Sequence, residues 1–274
     1  MIVQTAEDNS PHFVITMDQH TALSAQFAER FGNERFAPIE PRAQMLYIIG
    51  HHDAGWKELD RTALRDPATG LPYNLVQTPF EHIVATSKAS PDFNGATHPY
   101  CELLSSMHSW GLYNGRYGMS DKLLLDSLAD ENRAIADDML DFEIERQDRL
   151  KASLVADPDT APWVEEAHLM QNYKQLQFFD TLALYFNCVP EGKRTETRFD
   201  HVPMTACEDT SIDITPVAAG RYALNPYPFD DDDIEFGFAG RYLAPQSDGE
   251  SVGPALERAL VETQTLRLVA ANSS

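Results

Sequence analysis

The chain has 274 residues, and its 43 acidic against 21 basic side chains give a formal net charge of −22 at pH 7. This charge opposes binding to nucleic acid or to an anionic membrane surface, so we expect neither as a partner. The sequence shows no signal segment, no run long enough to span a membrane and no metal-type spacing among Cys101, Cys188 and Cys207, which is typical of a cytoplasmic protein with reduced thiols.

The first predicted elements are a short strand over residues 12–17 and a helix that Asp18 caps and Gly32 ends. His20 lies on the apolar stripe of this helix. The other members of the stripe, at helical spacing, are Leu23, Ser24 and Phe27. His20 is therefore expected to face the interior, where it either binds a metal or bonds to a neighbouring group.

An apolar run over residues 46–49 leads into the most distinctive polar cluster of the chain. If residues 41–57 form one helix, His52 and Asp53 lie on its apolar side and His51 on its more polar side. A buried His-Asp pair is costly unless something pairs with it, and a divalent cation binds imidazole nitrogen and carboxylate oxygen together. The ordinary alternative is a bond from His52 to Asp53 or to a backbone carbonyl.

Three more helical segments follow. A capping box over residues 78–81 predicts a short helix to about Lys88, with His82 at its surface. A helix from Pro99 to Tyr113 makes His108 the third histidine that faces the interior. Residues 120–156 are predicted to form one long or two shorter amphipathic helices with a solvated charged side.

The last predicted helix runs from Trp163 to about Cys188 and carries a lone carboxylate, Asp180, on its apolar stripe. A buried carboxylate needs a partner, which is either a metal or a core hydroxyl, lysine or arginine. Beyond Pro190 the pattern changes. Alternating stretches predict strands over residues 212–217, 221–224, 234–238 and 266–269. We therefore expect a helical domain over residues 1–190 and a small β-rich extension over residues 191–274, which the strand near Phe13 could join.

The inward-facing polar residues come in the order His20, His52-Asp53, His108 and Asp180, each on a different predicted helix. This order resembles the HD superfamily of metal-dependent phosphohydrolases, whose ligands follow the order His, His-Asp, Asp. The resemblance implies a mainly α fold, an HD-domain-like helical bundle with the small C-terminal β unit, and a metal held by His20, His52, Asp53 and Asp180. The chain differs from many of these enzymes in having Gly55-Trp56 where they continue Ile-Gly-Lys.

The helical portion also resembles an uncharacterised bacterial family, domain of unknown function 3891. The matching motifs are Asp18-Gln19-His20, His52-Asp53-Ala54-Gly55-Trp56, Ser105 to His108, and Phe179 to Leu184. This resemblance covers roughly residues 12–190 and implies an HD-like fold without a known reaction.

Three functions agree with these patterns. In the first, one divalent transition metal (Fe, Mn, Zn or Ni) serves hydrolysis of a small phosphorylated or ester substrate, with His108 and Asp53 as catalytic residues. In the second, His108, with or without His82, completes a site for two metals per chain, and a di-iron centre activates dioxygen, as in HD-like di-iron oxygenases. In the third, the metal has only a structural role, and the protein binds a small molecule or a partner without catalysing a reaction. A homo-oligomer is compatible with each of them.

Overall fold

A computed structural model describes residues 1–6, 10–121, 123–247 and 251–271. Its helices are α1 (Met17–Glu29), α2 (Arg42–Ile49), α3 (Lys57–Thr62), α4 (Phe80–Gly95), α5 (Pro99–Tyr113), α6 (Gly115–Gly118), α7 (Asp130–Val155), α8 (Glu166–Cys188) and α9 (Val252–Arg258). Its strands are β1 (Ile2–Gln4), β2 (His12–Ile15), β3 (Thr197–Thr205), β4 (Glu208–Ala218), β5 (Arg221–Asn225), β6 (Asp233–Leu243) and β7 (Val261–Ala270).

The strands of the described residues form one seven-stranded sheet in the order β1-β2-β6-β7-β5-β4-β3. Every neighbouring pair is antiparallel except β5 and β7, which are parallel. The expected strand near Phe13 is confirmed as β2, and it joins the C-terminal strands through its pairing with β6.

The expectation of a mainly α fold is wrong. About half of the chain is helical, and the seven-stranded mixed sheet makes it an α+β protein. The error arises because β2, which also carries β1, pairs with a strand more than 200 residues away, and because β3 was not recognised. Register shifts between Phe199 and Val202 and between Pro203 and Thr205 interrupt the two-residue alternation by which β3 could have been identified.

The sheet positions the helices that carry the candidate site. Helix α1 packs against α8 and β6, while α8 also contacts β1 and β3. Side chains from both layers share one apolar cluster, which runs from Phe27 on α1 and Phe186 on α8 to Phe236 and Leu268 on the sheet. Helices α2 and α5 then pack on α8, so that α1, α2, α5 and α8 converge on a common interior.

Three predicted helices differ from the structure, and one of them, expected to start at residue 120, begins only at Asp130 as α7. The helix expected over 41–57 ends at Ile49, and Gly50 begins a turn that leads to a 3₁₀ helix over Ala54–Trp56. The helix expected to end near Lys88 continues to Gly95 through Pro91, and Thr78 does not cap it. In contrast, α5 has the expected bounds, and the histidine stripe on α1 and the Asp180 stripe on α8 are buried as expected.

No helix among the described residues is long and apolar enough to cross a membrane.

Candidate metal centre

The turn after α2 exists because two histidine rings cap the end of that helix. The Nδ1 atom of His51 donates to the Tyr47 carbonyl at 2.8 Å, and Nδ1 of His52 donates to the Ile49 carbonyl at 2.8 Å. In a continuous helix these carbonyls would accept from backbone N–H groups four residues later, so the rings satisfy the acceptors that a helix end leaves open. The side chain of His52 is fully buried, and that of Asp53 is 15 % exposed.

Helix α4 fixes this turn from outside. Asn94 is fully buried, and its Nδ2 donates to the His51 carbonyl at 3.0 Å. The backbone N–H of Gly55 donates to the Ser90 hydroxyl at 2.9 Å. A Cβ at position 55 would lie only 2.2 Å from the Thr86 carbonyl oxygen, so the 3₁₀ helix can approach α4 this closely only with glycine there.

The structure brings all five predicted site residues together. His20 on α1 places its Nε2 3.1 Å from Oδ1 of Asp180 on α8, and Nε2 of His52 lies 3.7 Å from the same oxygen. The distance from His52 Nε2 to Oδ2 of Asp53 is also 3.7 Å, and that from His108 Nε2 to Oδ1 of Asp53 is 4.0 Å. The rings of His52 and His108 are 5.0 Å apart between centroids.

The contacts at Nδ1 of His20 and His52 bear on what their Nε2 atoms can bind. Nδ1 of His52 donates to the Ile49 carbonyl at 2.8 Å, and Nδ1 of His20 lies 3.0 Å from Oδ1 of Asn187. In a neutral His52 ring the lone pair on Nε2 then points towards the carboxylate oxygens of Asp53 and Asp180. The His52 Nε2 atom is buried without a hydrogen-bond partner in the described part of the chain. Either protons or a metal ion must occupy the space between these acceptors.

The pKa shifts of the clustered side chains also favour positive charge at His52. Burial alone would lower the pKa of His52, but the carboxylates of Asp53 and Asp180 outweigh it and raise the pKa to about 9. Burial would raise the pKa of Asp180, yet its contacts with His20 and His52 hold it well below its usual value. Burial and the nearby charge of His52 lower the pKa of His108 to about 4, so this ring is neutral at pH 7. The centre therefore favours positive charge at His52 and a neutral His108.

The residues fit a divalent transition metal. Two overlapping groups have ligand atoms within 4.8 Å of one another: His20, His52 and Asp53, and His52, His108 and Asp180. Metal–ligand bonds of about 2.0–2.2 Å place two ligands of one ion roughly 3–4.4 Å apart, which is the range seen here. Mixed imidazole and carboxylate donors suit Fe, Mn, Zn or Ni. Because His52 belongs to both groups, the arrangement is compatible with one ion or with two.

Sequence reasoning missed the residues that orient these ligands. Gln177 and Asn187 lie three residues before and seven residues after Asp180, on the same face of α8. Nε2 of Gln177 is 2.7 Å from Nδ1 of His108, while Asn187 holds His20. Their helical spacing relative to Asp180 was the signal that could have identified them. Asn94 carried no comparable signal, since its partner is a backbone carbonyl 43 residues away.

A cavity of about 820 Å³ opens onto the cluster. Asp53, His108 and Asp180 are part of its lining, together with a single described cationic side chain, Arg116. Most of the remaining wall is apolar, and the exposed side chains of Val76 and Leu123 contribute to it. This volume is within the range of small-molecule sites, so a substrate of moderate size can reach the carboxylates and His108.

A family model described as "Protein of unknown function (DUF3891)" matches residues 1–245 of the chain. No curated protein and no solved structure matches it.

Proposed function

The chain belongs to the DUF3891 family, and because that membership assigns no reaction, we propose from the site itself that the protein is a metal-dependent hydrolase of the HD type acting on a small phosphorylated or ester substrate. The observation that carries the proposal is the buried, unpartnered Nε2 of His52, which faces two carboxylates beside a large cavity. The candidate ligands follow the chain order His20, His52-Asp53, Asp180. This is the ligand order of the HD superfamily, and it supports the HD type.

A bound divalent metal would supply Lewis-acid polarisation and a more acidic water. His20, His52, Asp53 and Asp180 would hold it. In hydrolysis the water oxygen bonds to phosphorus or to the carbonyl carbon, the bond to the leaving alcohol breaks, and one water proton ends on the alcohol oxygen. Asp53 is the carboxylate best placed to accept a water proton, because it is partly exposed and lines the cavity.

The role of His108 follows from its environment. Its lowered pKa leaves it uncharged at neutral pH, so it is a weak proton donor there but a good ligand. Its Nε2 belongs to a second possible ligand group with His52 and Asp180. This observation favours one alternative function, a two-metal oxygenase that uses dioxygen.

Metal analysis and an oxygen-controlled activity screen test the proposal. Protein purified without added metal is analysed per chain, then loaded with Fe, Mn, Zn or Ni and screened against phosphate esters, nucleotides and carboxylic esters. Hydrolysis that proceeds without oxygen and is lost in His52→Ala supports the hydrolase. Oxygen uptake coupled to substrate loss would instead identify the oxygenase. Bound metal without activity across the panel would indicate a binding protein in which the metal is structural.

A further inference from the structure

The segment after α5 has an unusual backbone. Gly115, Arg116, Tyr117 and Gly118 all have positive φ, with values of 61°, 51°, 56° and 86°. Glycine adopts this left-handed region freely, but residues with a Cβ do so at a cost, and two of them in succession are rare. Backbone strain of this kind persists only where the surrounding structure imposes it, and it is concentrated at functional sites.

Tyr117 accounts for how the turn is held. Its ring packs on Trp110 and Tyr173 at centroid distances of 4.7 and 4.9 Å, and its hydroxyl donates to Oε1 of Gln147 at 2.9 Å. The N–H of Ser120 closes the turn on the Gly115 carbonyl at 3.0 Å. These contacts fix the backbone of Arg116 without using its side chain.

The Arg116 side chain is half-buried and forms no hydrogen bond or ion pair with any residue that the structure describes. Arg194 shows what a structural arginine looks like in this protein. Its guanidinium donates to the carbonyls of Val189 and Phe186 and to the Tyr222 hydroxyl. Arg116 has no such contacts, although a half-buried charge is costly when it is unpaired.

Arg116 lines the 820 Å³ cavity together with Asp53, His108 and Asp180. Its charge is close enough to His108 to help lower the pKa of that ring. In a chain of net charge −22, a strained turn therefore presents an unpaired guanidinium beside the candidate metal centre. Guanidinium groups bind carboxylate and phosphate oxygens in bidentate fashion.

We propose that Arg116 binds an anionic group, carboxylate or phosphate, of a substrate whose body is apolar. The apolar requirement follows from the wall of the cavity, where Trp56, Ile83, Leu112 and Leu184 offer surface that a sugar or a polyol would leave poorly matched. This inference rests on the proposed function, because it treats the cavity over the metal ligands as the substrate site.

Calorimetry with four octyl probes tests the charge preference. Octyl phosphate and octanoate are expected to bind at least tenfold more tightly than 1-octanol, and octyltrimethylammonium is expected not to bind. The two anions distinguish a phosphate from a carboxylate site. Equal binding of the anions and the alcohol would overturn the proposal.

Variants then assign the preference to Arg116. Arg116→Gln should remove the advantage of the anions, and Arg116→Lys should retain part of it. Arg116→Gly should also lose it while its melting temperature stays equal or rises, because glycine relieves the left-handed strain. Arg61→Gln, the same charge change at an exposed site paired with Glu58, should bind as wild type. Undiminished anion binding by correctly folded Arg116→Gly protein would refute the proposal.

Metal content measured on the same samples keeps the two proposals apart. Anion binding that survives chelation and His52→Ala but not Arg116→Gln supports the role of Arg116, whereas a lack of metal in untreated wild-type protein would count against the hydrolase alone. Anion binding that is lost with the metal and unaffected by Arg116→Gln would show that the anions bind only the metal, and the role of Arg116 would be rejected.

Discussion

His51 and His52 are adjacent residues with opposite environments. The His51 ring is exposed and stacks on Tyr47 at a centroid distance of 4.4 Å, whereas the His52 ring is buried between the Asp53 and Asp180 carboxylates. The preference for His52 as the inward residue came from helical phase. The phase argument fails in detail because the helix ends at Ile49, yet the turn directs the same ring inwards.

The first prediction compares these two histidines. His52→Ala should weaken metal binding at least tenfold, because loss of a residue that only orients a ligand already costs about 10–100-fold in many sites. His51→Ala removes a capping bond at the end of α2 and the stacking of the ring on Tyr47, and it should keep the metal because neither contact involves the cluster. Elemental analysis after dialysis against a weak chelator measures both. Metal loss in His51→Ala with retention in His52→Ala would show that the centre lies elsewhere.

The second prediction concerns Gln177 and the proton on His108. Oε1 of Gln177 is buried without a partner, and its Nε2 is the atom near Nδ1 of His108. A half-turn of the amide would place Oε1 as acceptor of an Nδ1–H and leave the His108 Nε2 lone pair for a metal. We therefore expect Gln177→Leu to weaken metal binding about 10–100-fold. If the centre holds two metals, His108→Ala should lower the content from two ions per chain towards one.

Thr181→Ala is a suitable control for Gln177→Leu, because the Thr181 hydroxyl bonds only to the carbonyls of its own helix. If both variants at positions 108 and 177 retained full metal content, His108 would be a substrate-binding or core residue and not a ligand.

At the scale of elements, the contact between the 3₁₀ helix after Asp53 and α4 leads to the third prediction. A Cβ at Gly55 meets the Thr86 and Ser90 backbones, which cannot move without displacing α4. Gly55→Ala should destabilise the protein by about 1–3 kcal/mol or more and lower its metal affinity, since Asp53 must shift. Urea unfolding and metal titration measure the two effects.

Gly192→Ala provides the matched control. Gly192 also lies in a 3₁₀ helix, Glu191–Lys193, but a Cβ there meets nothing within 4 Å. Equal stability of the two alanine variants would contradict the close packing at Gly55.

The sequence predicted the positions and buried faces of the helices better than the residues at which they end or the distant residues that they contact. Periodicity located α1, α5 and α8 and the faces that carry His20, His108 and Asp180, because burial of one stripe is a local pattern. It could not show that two imidazole rings would end α2 early, since that depends on which acceptors the rings find. Nor could it find Arg116, whose role depends on a left-handed turn and on a cavity formed by distant segments.

At the scale of the whole molecule, the pH dependence of stability should reverse when metal binds. The pKa of His52 is about 9 in the folded protein against 6.5 for an ordinary histidine. The stabilisation of the folded state by protonated His52 is therefore fully present below pH 6.5. It is lost as the pH rises through 9. The shift corresponds to roughly 3 kcal/mol.

The fourth prediction follows from this loss of stability with rising pH. The free energy of unfolding of chelated wild-type protein, minus that of His52→Gln, should fall by up to roughly 3 kcal/mol between pH 6 and 9.5. Metal competes with the proton on His52, so the stabilisation by added metal should instead increase with pH over the same range. Urea titrations at several pH values, with chelator and with metal, measure both slopes. A difference that does not vary with pH would contradict the burial of a protonated His52 between carboxylates.

The place of β7 in the sheet has a consequence for biosynthesis. This strand lies between β6 and β5, and within the described sheet it is the element that joins β1-β2-β6 to β5-β4-β3. Both halves leave the ribosome before β7 does, so the nascent chain holds two unjoined edges that cannot pair correctly until Val261–Ala270 has been made. Chaperone binding is therefore expected to be strongest on ribosome-stalled chains that end just before residue 261, and to decline once β7 is free to insert.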